Sequence, residues 1–346
     1  MALIYKLSLA AVALQILAYP CYSAAIIQTS TADSSFSNMF GFTEWFRDFF
    51  HSSSTTGNSN DSANLDTNSA TNVITIMHYT AANNVDMTIS SPKQIVIDIH
   101  AIGLYAAYSG AAYSLDSDKW ACGIQCSRPD TEGTVIKHRW KTPQITSGGF
   151  IAVNPNKKAI VVSFRGTAEF QDWIDDIIIN SAEWPLTIAG SQVGAGFLNG
   201  YEIVSPLIIQ KIHELAATHP EYSIVATGHS LGGARAAIFA ADISANHPHY
   251  LPRLQLYTYG QPRCGNSAFV KFMDSLNITK IRVVNKSDLI PHLPAKEAGY
   301  HHFGTEFWVA AENQFVVCQD GDYSMCSESV PFYKFSIPDH TSYSWI

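Results

Sequence analysis

Residues 226 to 236, Ala-Thr-Gly-His-Ser-Leu-Gly-Gly-Ala-Arg-Ala, restrict what this chain can fold into more than any other stretch. The run from Pro220 to Ala226 reads as a buried strand, and an Ala-rich helical pattern follows from Ala234 to Ser244. A serine between the two reaches a substrate only if the chain reverses sharply, with its hydroxyl at the tip of a strained turn. Such a turn tolerates little bulk. Gly228 and Gly232 stand two residues either side of Ser230, so a helix opening at Leu231 can pass close to the strand just left. A bare Gly-x-Ser-x-Gly arises by chance in many chains; the flanking strand and helix give this one its meaning.

The same alternation extends along the chain. Apolar periodicity predicts helices over about 95–113, 198–217 and 267–276, and strands over 135–141, 149–153, 159–165, 254–260 and 280–285. Helices alternating with strands imply an α/β fold, a mostly parallel central sheet with helices on both faces, and residues 91–346 are expected to form that single domain. In such sheets ligands gather at the carboxyl ends of the strands. An apolar fraction of 47% is enough for a substantial core.

The segment before that domain differs. Lys6, an apolar run from Leu7 to Tyr19 and the small residues Ser23 and Ala24 have the three-part build of a secretory signal, so residues 1–23 are expected to be removed on export. The run is too short for a membrane span, which needs about 20 apolar residues. Residues 24–90 then form a pro-segment and linker, Ser/Thr/Asn-rich from His51 to Asn72. Phe42, Trp45, Phe46, Phe49 and Phe50 recur at helical spacing ahead of it, an amphipathic helix that suits a covering pro-segment, a lipid contact or ordinary packing.

Net charge and cysteines narrow the partners. With a formal charge of −8 and no basic run, neither nucleic acid nor an anionic membrane is a natural partner, so any lipid affinity must be apolar. Export would leave Cys122, Cys126, Cys264, Cys318 and Cys326. The near neighbours Cys122/Cys126 and Cys318/Cys326 are the natural disulfides, with Cys264 a buried thiol. Their spacings do not suit zinc, and no metal or cofactor is expected.

Ser230 needs a base, and the base a carboxylate. In α/β-hydrolase sheets the chain order is Ser, acid, His. Asp288 follows the predicted strand 280–285 on its carboxyl side, whereas Asp242 and Asp274 fall inside predicted helices and are expected to be solvated. Among the later histidines, His292 is close in sequence to Asp288, and His301 and His302 read as surface residues. His340, near the chain end, fits a loop after the last strand, and chain order favours it. Oxyanion donors are expected at the backbone N–H of Leu231 and in Ser163-Phe-Arg-Gly-Thr167, whose Thr167 offers an N–H and a hydroxyl. Phe170, Trp173, Ile174, Ile177 and Ile178 follow at helical spacing with acidic residues opposite. Such a face belongs to many core helices; its attachment to the oxyanion loop suggests a lid.

These motifs together resemble the filamentous-fungal triacylglycerol lipases of lipase class 3. The likeness runs from about Ile95 onward through YAAYSGAAY (105–113), SFRGT (163–167), WIDDI (173–177), GFLNGY (196–201), TGHSLGGA (227–234), YGQPRCGN (259–266), VVNKSDLIPHLP (283–294) and PDHTSYSW (338–345). The resemblance implies nucleophile Ser230, acid Asp288, base His340, oxyanion donors Thr167 and Leu231, and a lid over about 168–179. It also implies a secreted, cofactor-free monomer that hydrolyses triacylglycerols at an oil–water interface through an acyl-enzyme. Feruloyl or other polysaccharide-ester esterases and phospholipases on the same scaffold are the alternatives. Ser114 departs from the pattern, standing where many relatives carry a bridging cysteine. Cys264 stands where relatives usually carry an aliphatic residue. Glycosylation sequons begin at Asn60, Asn277 and Asn285, the last confined beside Asp288.

Overall fold

The computed structural model describes residues 73–74, 95–114, 118–142, 147–167, 180–311, 314–319 and 325–343. The expected signal sequence, the amphipathic helix over 42–50, the linker over 51–72 and the lid over 168–179 lie outside the described residues.

Eight strands form one sheet whose spatial order follows the chain: β1 (Val135–Lys141), β2 (Gly148–Asn154), β3 (Ala159–Arg165), β4 (Ser223–His229), β5 (Leu254–Tyr259), β6 (Thr279–Asn285), β7 (Thr305–Ala311) and β8 (Gln314–Cys318). From β3 to β7 neighbours run parallel; β1–β2, β2–β3 and β7–β8 are antiparallel. Side chains alternate between faces. Ile160, Val162 and Phe164 of β3 enter one core, with residues of α2 (Ala195–Glu202), α3 (Ser205–Thr218), α4 (Leu231–Asn246) and α5 (Ser267–Ser275). Ala159 and Val161 enter the other, beneath α1 (Ile99–Ser114). Both faces are covered, as a mostly parallel sheet requires.

Several boundaries differ from the sequence expectation. The first helix starts at Ile99 rather than near Ile95. Asp98 caps it, its side chain accepting the Ala101 N–H at 3.0 Å, while Ile95–Val96 pairs with Val73–Ile74 as a short antiparallel ladder. The single helix expected over 198–217 is two, α2 and α3. Pro206 near the start of α3 has no N–H to continue the α2 ladder, so the chain breaks and restarts. The β7–β8 hairpin was not anticipated. Cys318, the last residue of β8, is bridged by a disulfide to Cys326. Among the described residues the other bridge is Cys122–Cys126, and Cys264 is free and fully buried. These are the pairings the spacing predicts.

Candidate active site

At the end of β4 the backbone turns at Ser230 with φ +58° and ψ −131°, a conformation non-glycine residues rarely hold. Its N–H donates to the Tyr259 carbonyl at 2.8 Å and its own carbonyl receives the Gly233 N–H at 2.9 Å, pinning the turn between β5 and α4. The flanking glycines are required by space. A Cβ on Gly232 would lie 2.1 Å from the Phe164 oxygen, and one on Gly228 would lie 2.4 Å from backbone atoms of Gly232. Bulk at either position would push helix and strand apart. Ser230 is buried, and among the described residues its Oγ has no hydrogen-bond partner. Leaving a buried hydroxyl unsatisfied costs about 1–3 kcal/mol, which a folded chain tolerates where an incoming group completes the bond.

Asp288 and His340 meet at the same end of the sheet. Asp288 follows β6 by three residues; its N–H donates to the Asn285 carbonyl, and Ser336 N–H donates to Ser287, tying the segment before His340 against it. His340 sits on α6 (Ile337–Thr341), a short helix capped by the Ser336 side chain rather than the expected loop. Its Nδ1 lies 2.9 Å and 3.0 Å from the two Asp288 oxygens. A carboxylate only accepts, so Nδ1 carries the proton and Nε2 is left as the basic nitrogen. Gly260, directly after the Tyr259 that holds the Ser230 N–H, has φ +56°. A Cβ there would come within 2.9 Å of the His340 ring and 2.8 Å of Asp288 Oδ2. The His340 ring is also 4.5 Å from that of His229, the residue before Ser230. Imidazole and carboxylate thus meet beside the Ser230 turn, brought there from distant segments, while no hydrogen bond joins the Ser230 hydroxyl to the imidazole among the described residues.

Of the two residues expected as oxyanion donors, Leu231 directly follows the serine. Leu231 is the first residue of α4, so its N–H has no acceptor within the helix and sits at the positive end of the helix dipole. Thr167 is buried and follows Gly166, where a Cβ would stand 3.2 Å from that of Ser230 and 2.8 Å from the His229 oxygen. Negative charge developing beside Ser230 would therefore lie at the positive end of the α4 dipole.

The other candidates are engaged elsewhere. His292 stacks on Phe335 and faces Glu328. Two expectations are corrected here. His302 is buried, its Nε2 donating to the Pro291 carbonyl, and Asp242 is buried beneath α2, accepting the Tyr201 hydroxyl and the Asn246 amide. The aromatic Tyr201 and the i+4 Asn246 provide donors that make burial affordable for a helical carboxylate. Asp274 is exposed and accepts the Gly304 N–H. The Asn285 amide is bonded to Asp339 and Ser342, which leaves no room for a sugar.

Sequence reasoning missed Tyr343. Its hydroxyl donates to Asp288 Oδ2 at 2.7 Å, and burial together with the Asp288 charge pushes its ionisation far above the ordinary range, so it stays a donor. The only signal was its place in the PDHTSYSW motif.

Fold and site define a protein of the α/β-hydrolase class carrying a candidate Ser–His–Asp arrangement. A family profile described as lipase (class 3) matches residues 161–298, a span that holds Ser230 and Asp288 and ends before His340. The chain is 34% identical to the lipase of Rhizopus niveus over 246 residues, 69% of this chain and 62% of that protein. It is 30% identical to the secreted mono- and diacylglycerol lipase A of Penicillium cyclopium, over 63% of this chain and 73% of that one. The solved structure of Rhizomucor miehei triacylglyceride lipase superposes with a TM-score of 0.66 at 33% identity, covering 72% of this chain and 94% of that chain. The chain belongs to the lipase class 3 family.

Proposed function

We propose that this protein is a secreted serine lipase that hydrolyses long-chain carboxylic esters, triacylglycerols foremost, through an acyl-enzyme. Ser230 Oγ attacks the ester carbonyl as His340 Nε2 takes its proton; the Leu231 N–H and Thr167 hold the oxyanion. The oxyanion collapses, the leaving alcohol takes the proton from His340, and the acyl group stays on Ser230. Water, deprotonated by His340, then releases the fatty acid and restores the serine. Asp288 holds the imidazole in the required tautomer throughout. The segment over 168–179 acts as a lid that opens its Trp173/Ile174/Ile177/Ile178 face to an oil surface, and the monomeric enzyme works at that surface outside the cell.

The observation that carries this reading is the convergence of Asp288, His340 and the strained Ser230 turn at the carboxyl end of one sheet. The lipases among its relatives support the substrate class. Hydrolysis rate against tributyrin concentration, followed through the solubility limit, tests it: the rate should jump once droplets form, and Ser230→Ala should abolish it. A smooth saturation curve would remove the interfacial lid, and hydrolysis surviving in Ser230→Ala would remove the chemistry.

A further inference from the structure

The His229 side chain joins segments that the chain keeps far apart. A carbonyl oxygen only accepts, so the 3.0 Å contact between His229 Nε2 and the main-chain oxygen of His340 is a donation from Nε2–H. In neutral imidazole Nδ1 then offers a lone pair, and the 2.9 Å contact with Tyr113 Oη is a donation from the phenol. The Tyr113 oxygen also packs against the main chain of Gly166. Gly166 is close enough that a Cβ there would lie 2.2 Å from Oη. Burial, and after it the neighbouring His340, hold His229 well below the usual histidine range, so the neutral form persists.

Hydrogen bonds therefore run from α1 through the elbow to the residue bearing the basic nitrogen, and the Gly166 main chain packs against the Tyr113 end of that chain. We propose that Tyr113 and His229 are positioning residues that fix the His340 backbone and the Gly166–Thr167 turn to the nucleophile elbow, so that base, nucleophile and oxyanion donors keep one geometry. The proposal rests on the serine-hydrolase reading above. Asp288 restrains the His340 ring at Nδ1, and a ring held at one atom can still swing. The bond from His229 fixes the backbone beneath that ring. The need is sharpest when His340 gains a proton from Ser230, because a neutral His229 only 4.5 Å from that ring adds no opposing charge.

The test uses the full chain and a soluble ester, p-nitrophenyl butyrate, comparing His229→Phe, His229→Gln, Tyr113→Phe and Ser230→Ala. His229→Phe keeps an apolar ring but loses the donor; the glutamine amide reaches about as far as Nε2 and can restore it. His229→Phe should lower kcat about 10- to 100-fold with KM within about threefold. His229→Gln should recover most of the loss. Tyr113→Phe should lower kcat too, and adding it to His229→Phe should cost little more, because both interrupt one chain of bonds. A kcat within about twofold of the parent in a folded His229→Phe, or a Gln variant as impaired as the Phe variant, would overturn the proposal. Should His229→Phe not fold, Tyr113→Phe decides, and an unchanged kcat in it overturns the proposal. Hydrolysis retained in Ser230→Ala would instead defeat the underlying reading of the site, a separate result.

Discussion

The Tyr343 phenol donates to Asp288 Oδ2 over 2.7 Å, on the same oxygen that lies 2.9 Å from His340 Nδ1. Asp288 is fully buried, and its other oxygen receives the Ile290 N–H at 2.8 Å. A buried carboxylate oxygen that loses a donor is left unsatisfied. Tyr343→Phe should therefore cost about 1–2 kcal/mol of stability and lower kcat several-fold with little change in KM. Denaturant unfolding and steady-state kinetics check it; an unchanged variant would mean that Asp288 is held without the phenol.

Gly232→Ala should be far more damaging than its size suggests. The added methyl meets the Phe164 oxygen at 2.1 Å, a backbone atom in the central strand β3 that cannot step aside. The expected loss exceeds about 2–3 kcal/mol, and the folded fraction that remains should have little esterase activity. Chemical denaturation read beside active-site titration distinguishes the two effects.

Thr167→Ala should lower kcat by roughly 10²-fold with a smaller change in KM, since its hydroxyl is assigned to the developing oxyanion rather than to the ground state. A change confined to KM would move Thr167 to substrate binding.

Acid sensitivity should arise partly at Glu328. Burial opposes its charge, but the facing His292, together with hydrogen bonds from Lys296 and Arg263, holds its carboxyl down to about 2. The bond from Arg263 is 2.7 Å and that from Lys296 is 2.8 Å. A depressed carboxylate stabilises the fold fully above its unfolded value of 4.5, and that contribution disappears as pH falls towards 2. Glu328→Gln should lower stability near neutral pH and flatten the decline between those limits. A decline as steep as the parent's would place the acid sensitivity elsewhere.

The thiol of Cys264 is fully buried, and burial pushes it up to about 12. A thiol reagent should leave it unmodified in the native chain and react once on unfolding, while losing the Cys318–Cys326 bridge should cost about 2–3 kcal/mol. Native-state labelling would contradict this packing.

What the sequence could convey follows from where each interaction lies. The elbow was legible because its constraint is local: two glycines, one serine, a strand and a helix within about twenty residues. The pairing of Asp288 with His340 was legible from the place of one after a strand and of the other in chain order. Tyr113, His229 and Tyr343 were not, since their partners sit 116, 111 and 55 residues away and such bonds leave no periodic trace. Asp242 was misread for a similar reason. Its helix position implied solvent, whereas Tyr201 from another helix supplies the donor that lets it be buried. The break between α2 and α3 was signalled by Pro206 and outweighed by an apolar pattern that continues across it.

The central claim is that Ser230 is a nucleophile activated by His340. A fluorophosphonate reagent, followed by peptide mass mapping, tests it most directly. One adduct on the peptide containing Ser230, absent in Ser230→Ala and formed far more slowly in His340→Ala, is the predicted result. Modification at another serine, or labelling of Ser230 at the parent rate without His340, would contradict it.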